Sequence, residues 1–373
     1  MRTPAFFVAG TLLLGVAAAP AQAAEPALVA PGGPFRTFPA DPPTTRELPT
    51  GEHIKVPPTA NAMDCSQGPA GTVRGTRVML TASHCVNTLP GFPEITGEFS
   101  VPVGDGYTRI GTREASNHVP LEAMLIFNPL AAARTADWGI VRIDDTVTDT
   151  SLTHSRDAAG RTRGNPVKLT GIRDFRTLRP GEVSVDNFGQ PICKDGATTG
   201  RSCGTQIGRS RNAVYSWNLG YKPGDSGGVN FDPRDGSIIG VSSMGIGPVG
   251  KAQPADRIIE DAYGVPDGKV NEVFKVTESS APRAEFTPSG VEAQSVDDEI
   301  RRLNPGYAPL EPRAEFRKAV GAAQRDARHL ADKAVRGQFN RAEVERAVDH
   351  HTEELTFWGS GVIAENLNEA LGR

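Results

Sequence analysis

Three widely spaced motifs hold side chains able to do chemistry. Leu80-Thr81-Ala82-Ser83-His84-Cys85 runs a strand-like segment into a histidine beside a cysteine. Thr135-Ala136-Asp137-Trp138-Gly139-Ile140-Val141 places an aspartate at the entrance to a strongly apolar run. Pro223-Gly224-Asp225-Ser226-Gly227-Gly228 sets a serine among glycines. A serine hydroxyl is a weak nucleophile near neutral pH and needs a base to take its proton. Histidine titrates near that pH, so it can take the proton and later give it to a leaving group. A buried carboxylate on the other ring nitrogen fixes the tautomer and stabilises the imidazolium. Glycines around the serine let the loop turn tightly and leave backbone N–H groups clear to receive an oxyanion. Histidine, aspartate and serine together are what acyl transfer through a serine ester requires.

The rival side chains are weaker. His53, His118, His154 and His329 lack the Thr-Ala-x-His-Cys context and read as surface or structural. His350 and His351 stand near Glu353 and Glu354, but adjacent helical residues do not share a face, and no His-Glu-x-x-His pattern is present. A metal is not expected there. Asp105, the rival for the acid, lies in a Gly-Asp-Gly turn.

The elements that must position these groups are short strands. Between about Asn61 and Val276 the chain alternates brief apolar runs with Gly, Pro, Asn and Asp. Arg77–Thr81, Trp138–Ile143 and Ser237–Val241 read as strands of an antiparallel barrel or sandwich, with one helix over Ala255–Tyr263. The chain has 373 residues, 41 of them Gly and 30 Pro, enough for about two domains rich in turns. Forty Lys and Arg against 44 Asp and Glu give a net charge of −4, so no global basic field points to nucleic acid or an acidic membrane surface.

Arg2, the apolar run from Phe6 to about Ala19, and Ala21-Gln22-Ala23 read as a secretory signal peptide over 1–23. The run is too short to span a bilayer. Residues 24–58, rich in Pro and without apolar periodicity, read as a linker or short pro-segment, and 277–294 as a second linker. The remainder, 295–373, reads as helical. Phe316, Val320, Ala323, Ala327, Leu330 and Ala334 mark one amphipathic helix, with Pro312 in its first turn. Asn340 and Glu343 make a capping pair for another, with Phe339 and Val344 as its staple. Export gives the four cysteines, Cys65, Cys85, Cys193 and Cys203, the meaning of two bridges. Three pairings are open, and the short-range one, 65–85 with 193–203, closes two small loops. A four-cysteine zinc site would need tight C-x-x-C spacing, which is absent.

With these motifs in the order His, Asp, Ser, the sequence resembles the chymotrypsin-like serine proteases, in their bacterial secreted, streptogrisin-like branch. The segment Ile192-Cys193-Lys194-Asp195-Gly196-Ala197-Thr198-Thr199-Gly200-Arg201-Ser202-Cys203-Gly204 is similar to a signature of that branch. The resemblance covers about 59–276. It implies a mainly β fold of two six-stranded antiparallel barrels, here followed by an appended α-helical segment. It implies His84 as general base, Asp137 as orienting acid and Ser226 as nucleophile. Backbone N–H groups of Gly224 and Ser226 then form the oxyanion hole, and Cys193 bridges Cys203 while Cys65 bridges Cys85. Animal relatives use a freed N-terminus to pair with the Asp before the serine. Bacterial relatives use an internal basic residue, and the matching residue here is Lys194, expected to pair with Asp225. Ser243, Met244 and Gly245 match the substrate-pairing strand, and Gly220 the pocket floor. No acid stands at Gly220, which argues against Lys or Arg substrates. Ser242 replaces the histidine of glutamate-specific relatives, so a small or apolar preference is expected.

The expected activity is hydrolysis of peptide bonds by a secreted, extracellular serine endopeptidase acting on polypeptides. It needs no cofactor or metal and has no nucleic-acid or membrane partner. The alternative is an inactive binding protein on the same fold. The helical tail is expected to dock on the protease domain or bind another partner, or to assist folding.

Overall fold

The computed structural model describes residues 25–48, 52–88, 93–118, 129–307, 311–338, 340–352 and 355. The expected signal peptide therefore lies outside the described residues, as do Phe339 and most of the chain after 352. The described chain is mainly β, with its α-helices gathered after residue 254 apart from Pro129–Arg134, and short 3-10 turns at Pro58–Asn61 and Ser83–Cys85. Among the described residues no helix is long and apolar enough to cross a membrane.

The chain divides into two compact units: 1–37 with 63–289, and 38–62 with 290–373. The first holds two antiparallel sheets. One has eight strands in the order Phe274–Val276, Ala70–Val73, Thr76–Thr81, Gly139–Ile143, Gly106–Ser116, Glu98–Val103, Pro34–Thr37 and Met63–Ser66. The other begins at the edge strand Val183–Ser184 and continues as Gly200–Ser210, Pro191–Gly196, Val229–Phe231, Ile238–Ile246, Val249–Pro254 and Ala213–Trp217. Ala213–Trp217 pairs back onto Gly200–Ser210, which closes six of these strands into a barrel. The mainly β architecture is thus as expected, with the second barrel closed by its ladder and the first sheet wider than six strands.

The strands form where apolar residues can be buried with backbone groups paired. Val78, Leu80, Ile140, Val229, Phe231, Ile238 and Val241 share one core with Ile258 and Ile259 of the helix Ala255–Tyr263. That helix ends at Gly264 in the left-handed conformation, a common helix stop. Phe35, Met79, Phe99, Val101, Ile110 and Val141 form a second core, sealed by Cys65 and Cys85. The bridges Cys65–Cys85 and Cys193–Cys203 are both present, the latter joining residues directly opposite in a ladder.

The linker expectations differ from the structure. Pro34–Thr37 pairs with Met63–Ser66 and with Glu98–Val103, and all four of its residues are buried. Val29 and Ala30 enter the core as well. Residues 277–289 likewise stay with the first unit, where Ala284 and Phe286 are buried. The ring of Phe286 meets His154 edge-on at 5.3 Å. Phe286→Ala is therefore expected to cost about 3–5 kcal/mol, the usual price of emptying an aromatic core site. Urea unfolding measures it, and a loss below about 1 kcal/mol would mean the segment is peripheral.

In the second unit the hairpin of Thr45–Glu47 and His53–Lys55 stands where a linker was expected. Ile54 and Val56 pack with Ile300 and Val296 of the helix Ser289–Leu303. Asn304 ties the pairing by exchanging hydrogen bonds with the backbone of Lys55, 2.8 Å each way. The next helix, Pro312–Val335, starts at the expected proline. The Asn340 side chain accepts the N–H of Glu343 at 3.3 Å, the expected cap.

Candidate active site

The histidine and aspartate meet because their strands pair. Thr81, at the end of one strand, lies opposite Gly139, at the start of the next. His84 follows on the short turn Ser83–Cys85, and Asp137 stands two residues before Gly139. The His84 Nδ1 lies 2.9 Å from Asp137 Oδ2 and 3.1 Å from Oδ1. The His84 backbone N–H also donates to Oδ1, at 3.2 Å.

The other sheet fixes the aspartate. Ser243 Oγ donates to Asp137 Oδ2 at 2.6 Å, and the Asp137 N–H donates to Gln253 Oε1 at 2.9 Å. Burial works against charge on Asp137, but the charge and hydrogen bond of His84, with Lys251 and Ser243, outweigh it and hold the carboxyl well below its ordinary value. Burial also works against charge on His84. Asp137 outweighs that too, against the opposing charge of Lys251, and the imidazole pKa is raised above 6.5. Lys251 is itself buried and donates to the carbonyls of Ala132 and Thr135 at 2.8 and 2.7 Å, on the segment leading to Asp137. Burial pushes its amine down to about 8, against the attraction of Asp137.

Ser226 sits in a turn held on both flanks. Its carbonyl accepts the Ser66 N–H at 2.7 Å, and the next N–H, of Gly227, donates to Ser242 at 2.8 Å. Cys65, beside Ser66, is bonded to Cys85, beside His84. Ser242 precedes the Ser243 that grips Asp137. Two short covalent and hydrogen-bonded paths therefore lead from Ser226 to His84, one through the disulfide and one through the acid. The Ser226 hydroxyl itself makes no hydrogen bond to the His84 ring among the described residues.

Within this turn the N–H groups of Asp225, Gly227 and Gly228 all donate to backbone carbonyls. Those of Gly224 and Ser226 have no acceptor among the described residues. Gly224 has φ +88, a conformation that side chains rarely adopt. The Ser66 hydroxyl donates to Gly224 O at 2.6 Å and accepts the N–H of Ala197 at 2.8 Å.

Asp225 is fully buried beneath this turn. Lys194, also buried, places its Nζ 3.1 Å from Asp225 Oδ2 and donates to Thr199 Oγ1 and Gly200 O as well. The carboxylate further accepts the N–H groups of Thr198, Thr199 and Lys222 at 3.2, 3.0 and 3.1 Å, and the Thr199 hydroxyl at 2.7 Å.

Ser243, Met244 and Gly245 lie together beside Ser226, lining a pocket of about 200 Å³ with Tyr221, Lys222, Pro223 and Ser242. On the side facing Ser226, their strand has no partner beyond Ser242 among the described residues. Gly220 is not brought to this pocket, contrary to expectation. Its neighbour Tyr221 takes the place: a Cβ built on Gly250 would lie 2.0 Å from Tyr221 Cε2, and the phenol donates to Asn230. One residue of shift in an irregular turn is enough to exchange them. Sequence reasoning also missed Ser66, Gln253 and Thr199. A glutamine between Ala252 and Pro254, inside a buried strand, is the kind of signal that marks a polar contact across a core.

No protein-family profile matches the chain, and no curated protein matches it. Among solved structures, protease A of Thermobifida fusca is 20% identical, over 63% of this chain and 96% of its own, with a TM-score of 0.39. A glutamic acid specific serine protease with a histidine triad in substrate binding is 22% identical, over 63% and 98%, also at 0.39. The Nocardiopsis protease is 23% identical, over 53% and 90%, at 0.36.

Proposed function

We propose that this chain is a secreted serine endopeptidase that cleaves polypeptides through an acyl-enzyme formed on Ser226. The observation that carries the reading is the turn around Ser226. The N–H groups of Gly224 and Ser226, without an acceptor among the described residues, stand at the half-buried Ser226, and an aspartate-oriented histidine is tied to the same turn. Asp137 engages Nδ1 of His84, which leaves Nε2 as the basic atom. His84 takes the proton from Ser226 as the hydroxyl attacks the peptide carbonyl. The oxyanion is received by the Gly224 and Ser226 N–H groups, and His84 then protonates the leaving amine. Water repeats the sequence on the ester. The edge at Ser243–Gly245, unpaired among the described residues, suits an extended substrate backbone. Exposed Ile246 follows on the same strand, and exposed Val249 and Trp217 lie beside it across the ladder as an apolar row.

A fluorophosphonate probe tests this directly. Modification at Ser226, abolished by Ser226→Ala, is the expected result. A second reading, an inactive binding protein, is favoured by the absence of a hydrogen bond between Ser226 and His84, although such bonds are often long before substrate binds. No labelling at all would support it.

The pH profile gives a further check. His84 must be neutral to act as base, so kcat/KM should fall as pH drops through a midpoint above 6.5. Asp137→Asn removes the charge that outweighs burial, so the midpoint should move down while kcat falls by about 10⁴-fold. A midpoint unchanged in that variant would mean Asp137 does not act on His84.

A further inference from the structure

Lys222 is the one charged residue among those lining the pocket beside Ser226. No carboxylate and no histidine is among the residues lining it. The Lys222 Nζ is buried, yet it has no hydrogen-bond partner among the described residues. The nearest acid in sequence, Asp225, is engaged elsewhere: it takes the Lys222 backbone N–H, and its side-chain cation partner is Lys194. Withdrawing an ammonium from water without an acceptor is costly, and the cost is relieved when an anion arrives. The flexible four-carbon stem lets that amine adjust to an incoming group. The pocket, about 200 Å³, exceeds what a glutamate side chain needs, and Tyr221 and Met244 supply apolar walls for its methylenes.

We propose that Lys222 selects an acidic side chain, glutamate or aspartate, at the substrate residue whose carbonyl Ser226 attacks. This departs from the small or apolar preference expected from the sequence. It rests on the endopeptidase reading. The Lys222 amine turns toward a carboxylate that enters the pocket and pairs with it in a charge-assisted hydrogen bond, stronger than the neutral bond an amide makes. Arginine and lysine substrates meet like charge, which repels them.

The test uses the full chain and two quenched peptides, identical except for Glu or Gln before the scissile bond. Glu should be favoured in kcat/KM by about tenfold or more. In Lys222→Met the Glu-to-Gln ratio should fall to about one. The wild-type ratio alone decides the matter if that variant fails to fold. Fluorophosphonate labelling of Ser226 without any preference for Glu over Gln overturns this inference and leaves the endopeptidase reading standing. Absence of labelling overturns both.

Discussion

Ser226→Ala is expected to lower kcat for peptide hydrolysis by about 10⁶-fold, the scale of loss when a serine nucleophile is removed from such a constellation. His84→Ala should cost as much, and the double variant no more than either alone. In the proposed mechanism the two groups perform one step: without the hydroxyl there is nothing for the imidazole to deprotonate. Stability should barely change in Ser226→Ala. The hydroxyl makes no hydrogen bond among the described residues, and the turn is held by its backbone, through Ser66 and Ser242. A folded but inactive protein is therefore the expected phenotype, with unfolding free energy within about 0.5 kcal/mol of the parent. Residual catalysis of about 10³–10⁴ over water should survive through the N–H groups of Gly224 and Ser226. Activity above a hundredth of the parent in Ser226→Ala would mean that another group is the nucleophile.

Much of this site is legible because its parts are local. His84 follows one apolar run, Asp137 opens another and Ser226 stands among glycines, and the turn chemistry around each is written in neighbouring residues. The buried pair of Lys194 and Asp225 is readable for the same reason, since each stands beside a conspicuous marker, Cys193 or Ser226. What escapes is what depends on register and on distant packing. Thr198 and Thr199 reach Asp225 only because their hairpin folds over the turn, and Tyr221 replaces Gly220 only through the path of an irregular loop. The strand Pro34–Thr37 reads as linker in the sequence because Pro-rich context and a charged residue hide it. Arg36 is nevertheless 2% exposed, since its guanidinium finds Asp64 at 2.8 Å and the carbonyl of Phe35 at 2.9 Å. A polar residue satisfied inside a core breaks the alternation from which strands are inferred. The hairpin within 38–62 is hidden differently: its two apolar contacts, Ile54 and Val56, acquire meaning only beside Ile300, some 250 residues away.

Asp225→Ala is expected to be the most destabilising change near the site, costing about 3–5 kcal/mol, because it strands a fully buried ammonium. Lys194 would keep only Thr199 Oγ1 and Gly200 O, while the N–H groups of Thr198, Thr199 and Lys222 would lose their shared acceptor. Lys194→Met should cost less. Asp225 would still accept four hydrogen bonds, and a methionine fills most of the lysine volume with flexible apolar atoms. The two variants should also differ in chemistry. Gly224 and Ser226 flank Asp225, so releasing its side chain unsettles both of the proposed oxyanion donors at once, each worth about 10²–10³ in turnover in that role. Lys194→Met leaves the Thr198 and Thr199 clasp in place, so its loss in kcat should be smaller than that of Asp225→Ala. Urea unfolding and kcat, measured on both variants and on Lys194→Met/Asp225→Asn, separate the terms. In that double variant the stability should recover relative to Asp225→Asn, because no unpaired buried charge remains. If Lys194→Met proved the more damaging of the two single changes, the lysine rather than the threonine clasp would be what holds the turn. The basic residue beside Cys193 would then carry the whole task that the structure divides between it and Thr198–Thr199.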